Sequence, residues 1–230
     1  MAIGYRIYDG HQRPDPDVVS ALGQHYSCDL ADSMQKAGAM SRSIAPVFHP
    51  MPKFYGAAVT ASLPTGSFSM AKMAMLRCQP GEVLVLNAYE DVSHAMVGGH
   101  IGHALKQRGM AGMIVDGAVR DAAELQAEEL PVCARGTAVV VGGHDGPGEI
   151  NVPIACGGVV VNPGDIVISD DGGIVVIPRD EAQAVLESVE DLHQRHEKSG
   201  PVFDRGEIPG MEAVEERMRQ AGCEFVETRK

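Results

Sequence analysis

Gly98-Gly99-His100-Ile101-Gly102-His103, then helix formers through Arg108, a Gly109 stop and the apolar run Met113-Ile114-Val115 ending at Asp116, is the stretch that decides the fold class. The paired glycines open a helix and leave its first backbone N–H groups without intrahelical acceptors. The β-branched run after Gly109 reads as a buried strand. Upstream, Gln79-Pro80-Gly81 is a turn that launches a second apolar run, Val83-Leu84-Val85-Leu86. Strand, glycine-rich turn, helix and strand in this order predict an α/β protein with parallel strands and functional groups at the strand ends.

Working outward, residues 15–23 and 27–38 read as helices, the second with Cys28, Leu30, Ala31, Met34 and Ala37 on one apolar face before Gly38. Residues 54–61 are a strand candidate, and residues 69–78 read as helical after the Pro64-Thr65-Gly66 break. Beyond Asp121 the character changes. Residues 139–141, 158–161, 166–169 and 174–177 are short β-branched runs between Gly, Pro, Asn and Asp turns. A helix is predicted from Asp180 to about Lys198, with Ala182, Val185, Leu186, Val189 and Leu192 at helical spacing and Ser199-Gly200-Pro201 ending it. Residues 202–230 form a polar tail in which 211–221 can make another helix. Nothing repeats internally and no segment is of low complexity.

A chain of 230 residues, 44% hydrophobic, can bury one core, so one domain is expected. Nineteen Lys and Arg against 31 Asp and Glu give a net charge of −12, which argues against nucleic acid and membrane as partners. It leaves room for a small anionic substrate, because a few oriented amides and one Arg make a local positive site. Cys28, Cys78, Cys133, Cys156 and Cys223 are odd in number and scattered, with no Cys-x-x-Cys pair, which suits reduced thiols in a cytoplasm. The opening Met-Ala-Ile-Gly-Tyr-Arg lacks a signal-peptide pattern, and no apolar run approaches membrane-spanning length.

The sharpest chemical feature is Val115-Asp116-Gly117-Ala118-Val119-Arg120-Asp121, a strand that runs into a turn and presents a cation beside a carboxylate. Asp121 can hold a hard divalent cation while Arg120 binds an anionic oxygen. The plainer alternative is a surface ion pair or turn cap. Upstream, the amides of Gly98, Gly99, His100 and Ile101 can cradle a small carboxylate at a helix start. Together these groups would fix the carboxylate, carbonyl and adjacent carbon of a 2-oxo acid and stabilise an enolate there. No side chain of the segment is an obvious general base, so water is expected to carry the proton.

Competing motifs carry less. His100-Ile101-Gly102-His103 spells the HIGH tetrapeptide of class I nucleotidyl transferases, but the Lys-Met-Ser-Lys-Ser partner loop is absent from the sequence. As metal ligands, His100 and His103 lack a third companion; His100 is the better functional candidate because it follows the proposed cradle. Gly142-Gly143-His144-Asp145-Gly146-Pro147-Gly148 has no Lys-Ser/Thr and reads as a turn rather than a phosphate loop. Asp170-Asp171-Gly172-Gly173 suits a tight hairpin. Glu190, His193 and Glu197 share one helical face, by default a solvated one.

Several ordered motifs resemble the RraA-like family. They are Gly109-Met110-Ala111-Gly112 running to Asp121, Leu130-Pro131-Val132-Cys133-Ala134-Arg135-Gly136, Asn151-Val152-Pro153-Ile154 with Gly157-Gly158-Val159, Pro163-Gly164-Asp165-Ile166, and Asp170-Asp171-Gly172. The resemblance covers roughly residues 20–198. It implies a single-domain swivelling β/β/α fold with flanking N- and C-terminal helices, the C-terminal helical tail occupying 199–230. It further implies a homotrimer or homohexamer with sites between subunits. The family includes 4-hydroxy-4-methyl-2-oxoglutarate and 4-carboxy-4-hydroxy-2-oxoadipate aldolases, which also decarboxylate oxaloacetate and use Mg²⁺ or a similar divalent ion such as Mn²⁺. It also includes non-enzymatic regulators of ribonuclease E. In that comparison Arg120 matches the substrate-binding Arg, Asp121 the metal-side carboxylate, and the amides of Gly98, Gly99, His100 and Ile101 the carboxylate cradle. Glu197 matches a Glu contributed by a neighbouring subunit. The sequence departs from the aldolases at Gly99, where they carry an Asp that helps order water on the metal. Members with Gly there tend to be the non-aldolase ones. The resulting expectation is a cytoplasmic, metal-dependent pyruvyl lyase acting on a small 2-oxo acid, with a non-catalytic, protein-binding regulator as the alternative.

Overall fold

The computed structural model describes residues 4–64, 67–143 and 145–226. In chain order the elements are β1 (Tyr5–Ile7), α1 (Pro16–Leu22), α2 (Ser27–Ser33), β2 (Ala45–Pro46), β3 (Phe54–Ser62), α3 (Phe68–Met75), β4 (Val83–Asn87), α4 (Gly99–Gln107), β5 (Gly112–Val119), α5 (Ala122–Ala127) and β6 (Val132–Thr137). They continue as β7 (Gly148–Ile150), β8 (Ile154–Cys156), β9 (Val159–Val161), β10 (Ile166–Ser169), β11 (Ile174–Ile177), α6 (Ala182–Phe203) and α7 (Met211–Gln220). Two compact units result, Met1–Val189 and Glu190–Lys230, so the boundary falls within α6, earlier than the expected start of the tail at 199.

The centre of the first unit is the parallel run β3-β4-β5-β6, with Val85 opposite Thr60 on one side and Ile114 on the other. Such strands are covered on both faces and therefore read as continuous apolar runs. Alternation then sorts their side chains. Leu84, Leu86, Met113 and Val115 pack with Met70 and Ala74 of α3, Leu105 of α4 and Leu125 of α5. Val83, Val85, Ile114 and Cys133 face Ile154, Val161, Val167 and Val176.

β3 pairs with three strands, β10, β4 and, at Ala61 and Ser62, β7. Its first half runs antiparallel to β10, Phe54 opposite Ser169 and Ala57 opposite Ile166, while its second half runs parallel to β4 from Ala58 onward. One long strand thereby ties the parallel sheet to the β10–β11 hairpin. On that hairpin Leu22 and Leu30, with Val185, Leu186 and Val189 of α6, bury Ile168 and Ile177. This is the expected β/β/α layering with flanking helices.

Several expectations need correction. The helix expected over 27–38 stops at Ser33, because Gln35 and Lys36 adopt left-handed backbone and Lys36 N–H turns back to the Ala31 carbonyl. The strand expected over 139–141 is absent. Val139 is 90% exposed, and the strand beside β5 is instead β6, whose Val132, Cys133 and Ala134 are buried. β5 does not end at Asp116 but continues to Val119 through a bulge, since Val115 faces Ala134 and Ala118 faces Gly136. Pro201 does not end α6, which includes it in its final turn. The Asp170 to Gly173 turn does join β10 to β11, with Gly173 N–H donating to the Asp170 carbonyl. Thr65, Gly66 and His144, parts of two turns read from the sequence, lie outside the described residues. Among the described residues no helix is long and apolar enough to cross a membrane.

Candidate functional site

The β5 bulge delivers the site. After it, Ala118 accepts a hydrogen bond from Met96 N–H (2.9 Å) and Arg120 N–H donates to the Val97 carbonyl (2.9 Å). Ala95 bridges Ala118 on one side and Val141 on the other. Residues 95–97 are thus pinned along the end of β5, and the next residue, Gly98, is the N-cap of α4. This pairing brings together the two motifs, far apart in sequence, that the chemistry requires.

Asp121 sits at the N-cap of α5 with left-handed backbone (φ 56°), a conformation that Asp tolerates better than most residues. Its Oδ2 accepts the Gly99 N–H (3.1 Å) and lies 3.2 Å from Arg120 Nε. The glycines are needed here for space. A β-carbon on Gly98 would stand 2.6 Å from Asp121 Oδ2 and 2.8 Å from Arg120 Nε. One on Gly99 would meet Glu124 Oε2 at 1.8 Å. The carboxylate of Glu124 therefore fills the space into which an Asp at position 99 would project.

The anion cradle is narrower than the sequence suggests. The Gly99 amide is taken by Asp121, and that of Ile101 donates to the Gly98 carbonyl (3.1 Å). Among the described residues the amides of Gly98 and His100 have no such acceptor and remain for a ligand. The His100 side chain is exposed and lines the same cleft as Gly98, Ile101 and Arg120, whereas His103 turns away to pair with Glu128 (2.9 Å). Glu197 is exposed on α6, in the second unit.

Two features escaped the sequence reading. Glu124 is one; its position three residues after Asp121, on the first turn of a helix, was the available signal. The other is an ion network under the bulge, buried at Asp116 and open to solvent at Glu90. Asp116 accepts from Arg135 Nε and from Gly157 N–H (2.8 Å), and Arg135 extends to Ser43 Oγ (2.7 Å) and Glu90 Oε1 (2.8 Å). The hydrogen bond to Asp116 holds the Arg135 guanidinium above its ordinary pKa, so it stays charged. The Asp116 carbonyl also accepts the amides of Ala88 (3.2 Å) and Glu90 (3.0 Å). These bonds fasten the turn whose Tyr89 and Glu90 both have positive φ, and which leads into residues 95–97.

Among the described residues no three His, Cys, Asp or Glu side chains converge as a closed metal cage. Asp121, with Glu124 beside it at Gly99, offers a hard oxygen donor of the kind that suits Mg²⁺ or Mn²⁺ with water completing the shell. The donor set fits such an ion.

Comparison with known proteins identifies the family of the chain. The family model RraA-like: Aldolase/RraA matches residues 27–176. A protein of Halalkalibacterium halodurans that carries the provisional name 4-hydroxy-4-methyl-2-oxoglutarate aldolase is 34% identical over 158 residues, covering 69% of this chain and 75% of its own. The crystal structure of Streptomyces coelicolor RraAS2, described as an unusual member of the RNase ES inhibitor RraA protein family, superposes with a TM-score of 0.73 at 31% identity, over 83% of this chain and 98% of that one. The RNA-processing inhibitor RraA from Thermus thermophilis gives a TM-score of 0.61 at 25% identity, over 67% and 93%. With the family model spanning most of the first unit and the same fold in both solved relatives, the chain belongs to the RraA-like, Aldolase/RraA family.

Proposed function

We propose that this protein is a divalent-metal-dependent pyruvyl lyase that cleaves a 4-hydroxy-2-oxo acid of the 4-hydroxy-4-methyl-2-oxoglutarate type, or decarboxylates oxaloacetate, through a pyruvate enolate. The observation that carries the reading is the meeting of Arg120 with the unpaired amides of Gly98 and His100 at one cleft, with Asp121 and Glu124 beside it at Gly99. The two amides hold the substrate's C1 carboxylate at the start of α4. Arg120 faces the C2 oxygen and stabilises the negative charge that grows there as the C3–C4 bond breaks. Glu124 takes the proton of the 4-hydroxyl, directly or through one water, as C4 becomes a carbonyl and leaves. The proton taken by Glu124 returns, through water, to the C3 carbon of the enolate and gives pyruvate. Asp121 would hold a Mg²⁺ or Mn²⁺ ion, which when bound supplies Lewis-acid stabilisation of the enolate.

The test is pyruvate release, coupled to lactate dehydrogenase, from 4-hydroxy-4-methyl-2-oxoglutarate and from oxaloacetate, with Mg²⁺ and with EDTA. Metal-dependent release that Arg120→Ala abolishes in a folded protein supports the reading; full activity in that variant sinks it.

A second reading, a regulator of ribonuclease acting as a trimer or hexamer, is favoured by Gly99 and by the inhibitor descriptions of the two solved relatives. Inhibition of a ribonuclease by the Arg120→Ala variant as well as by the unaltered protein, with no pyruvate released by either, would favour it.

A further inference from the structure

The amides of Gly98 and His100 form one wall of the cleft, and α3 supplies the wall opposite. The cleft has a volume of about 210 Å³ and is lined by Gly98, His100 and Arg120 on one side and by Phe68 and Lys72 of α3 on the other. This is smaller than the ~300–1,000 Å³ typical of drug-sized sites and suits a short-chain acid. In a chain of net charge −12, its charged walls are cationic; Asp121 and Glu124 are not among them.

Lys72 stands in the last turn of α3 and lays its ammonium over the ring of Phe68, one turn earlier, with Nζ 4.2 Å from the ring centroid. Phe68 is fixed in turn by its N–H, which donates to the Gly143 carbonyl (3.0 Å). Among the described residues Lys72 has no carboxylate partner, so its charge is held in place and available. Arg120, by contrast, already faces Asp121.

We infer that Lys72 is a specificity-determining residue that binds a second carboxylate at the far end of the substrate, so that the site selects 2-oxo diacids over 2-oxo monoacids. This deepens the lyase reading and rests on it for the orientation of the substrate. The test is calorimetric binding of two unreactive, matched probes in Mg²⁺ buffer, 2-oxoglutarate and 2-oxopentanoate, which differ at C5 in carboxylate against methyl. Unaltered protein is expected to favour the diacid by about fivefold, the upper reach of one exposed charge pair. Lys72→Met collapses the ratio to about one, and Lys72→Arg keeps most of it. Equal binding of the two probes by unaltered protein, retention of the ratio in Lys72→Met, or no binding of either probe would overturn the assignment. Because this measurement needs no turnover, a Lys72-dependent ratio in a protein that releases no pyruvate would leave Lys72 assigned and the lyase reading refuted.

Discussion

Gly99→Ala adds one methyl group and removes no functional atom, yet it is expected to disable the site. The new β-carbon would lie 1.8 Å from Glu124 Oε2 and 2.7 Å from both Cβ and Cδ of Glu124. A carbon and an oxygen in contact normally sit at about 3.3 Å or more, so the carboxylate must retreat by more than ~1 Å. A displacement of ~1 Å in a catalytic group costs on the order of 10²-fold, which sets the expected loss in kcat/KM for pyruvate release. The same change in a Glu124→Ala background keeps, of these three contacts, the one with Cβ at 2.7 Å, so its added cost there should be a few-fold. The coupling is then on the order of 10-fold or more between the two positions. Steady-state kinetics on the four proteins of this cycle, with thermal melts to verify folding, provide the assay. An unimpaired Gly99→Ala variant, or an equal loss with and without Glu124, would refute the idea that the Glu124 carboxylate is the group Gly99 makes room for.

Two further outcomes follow from the buried groups. Arg135→Met strands Asp116, whose side chain is 6% exposed, and should destabilise the first unit by about 3–5 kcal/mol, read as a lowered denaturation midpoint with unchanged slope; a change below ~1 kcal/mol would mean that the network does not hold the bulge. Burial pushes the thiol of Cys78 up to about 12 and that of Cys133 up to about 11, from an ordinary 9.0. Iodoacetamide at pH 8 should therefore modify exposed Cys28 and Cys223 while Cys78 and Cys133 stay protected until unfolding, as followed by peptide mass spectrometry. The linkage has a definite sign. The unfolded chain loses these protons above about pH 9 and the folded chain does not, so this contribution lowers stability as pH rises from about 9 toward 11.

Much of the first unit was legible because its signals are local. The apolar runs at Val83 and Met113 read as buried strands, and Gly98-Gly99 as a helix start whose amides lack intrahelical acceptors, as the structure has them. The Arg120-Asp121 pair was legible for the same reason, since adjacency in sequence is adjacency in space. Illegible features were those set by distant partners. Val139, Val140 and Val141 have strand-forming side chains, but β5 pairs with Val132 to Thr137 and leaves Val139 in solvent. Residues 34–36 have helical composition, but the chain bends there to carry Ala39 to Val175 of β11.

The sequence by itself determined the α/β class, the parallel core and the identity of the groups at the end of β5, because hydrophobic period and turn chemistry act over a few residues. Only the tertiary structure decided what stands opposite them. Glu124 filling the space of a side chain that Gly99 lacks, Asp121 claiming one amide of the cradle, and Lys72 facing the cleft from α3 all depend on how separate elements pack. Such contacts are distances between residues remote along the chain or on successive turns, and no local pattern encodes a distance of that kind.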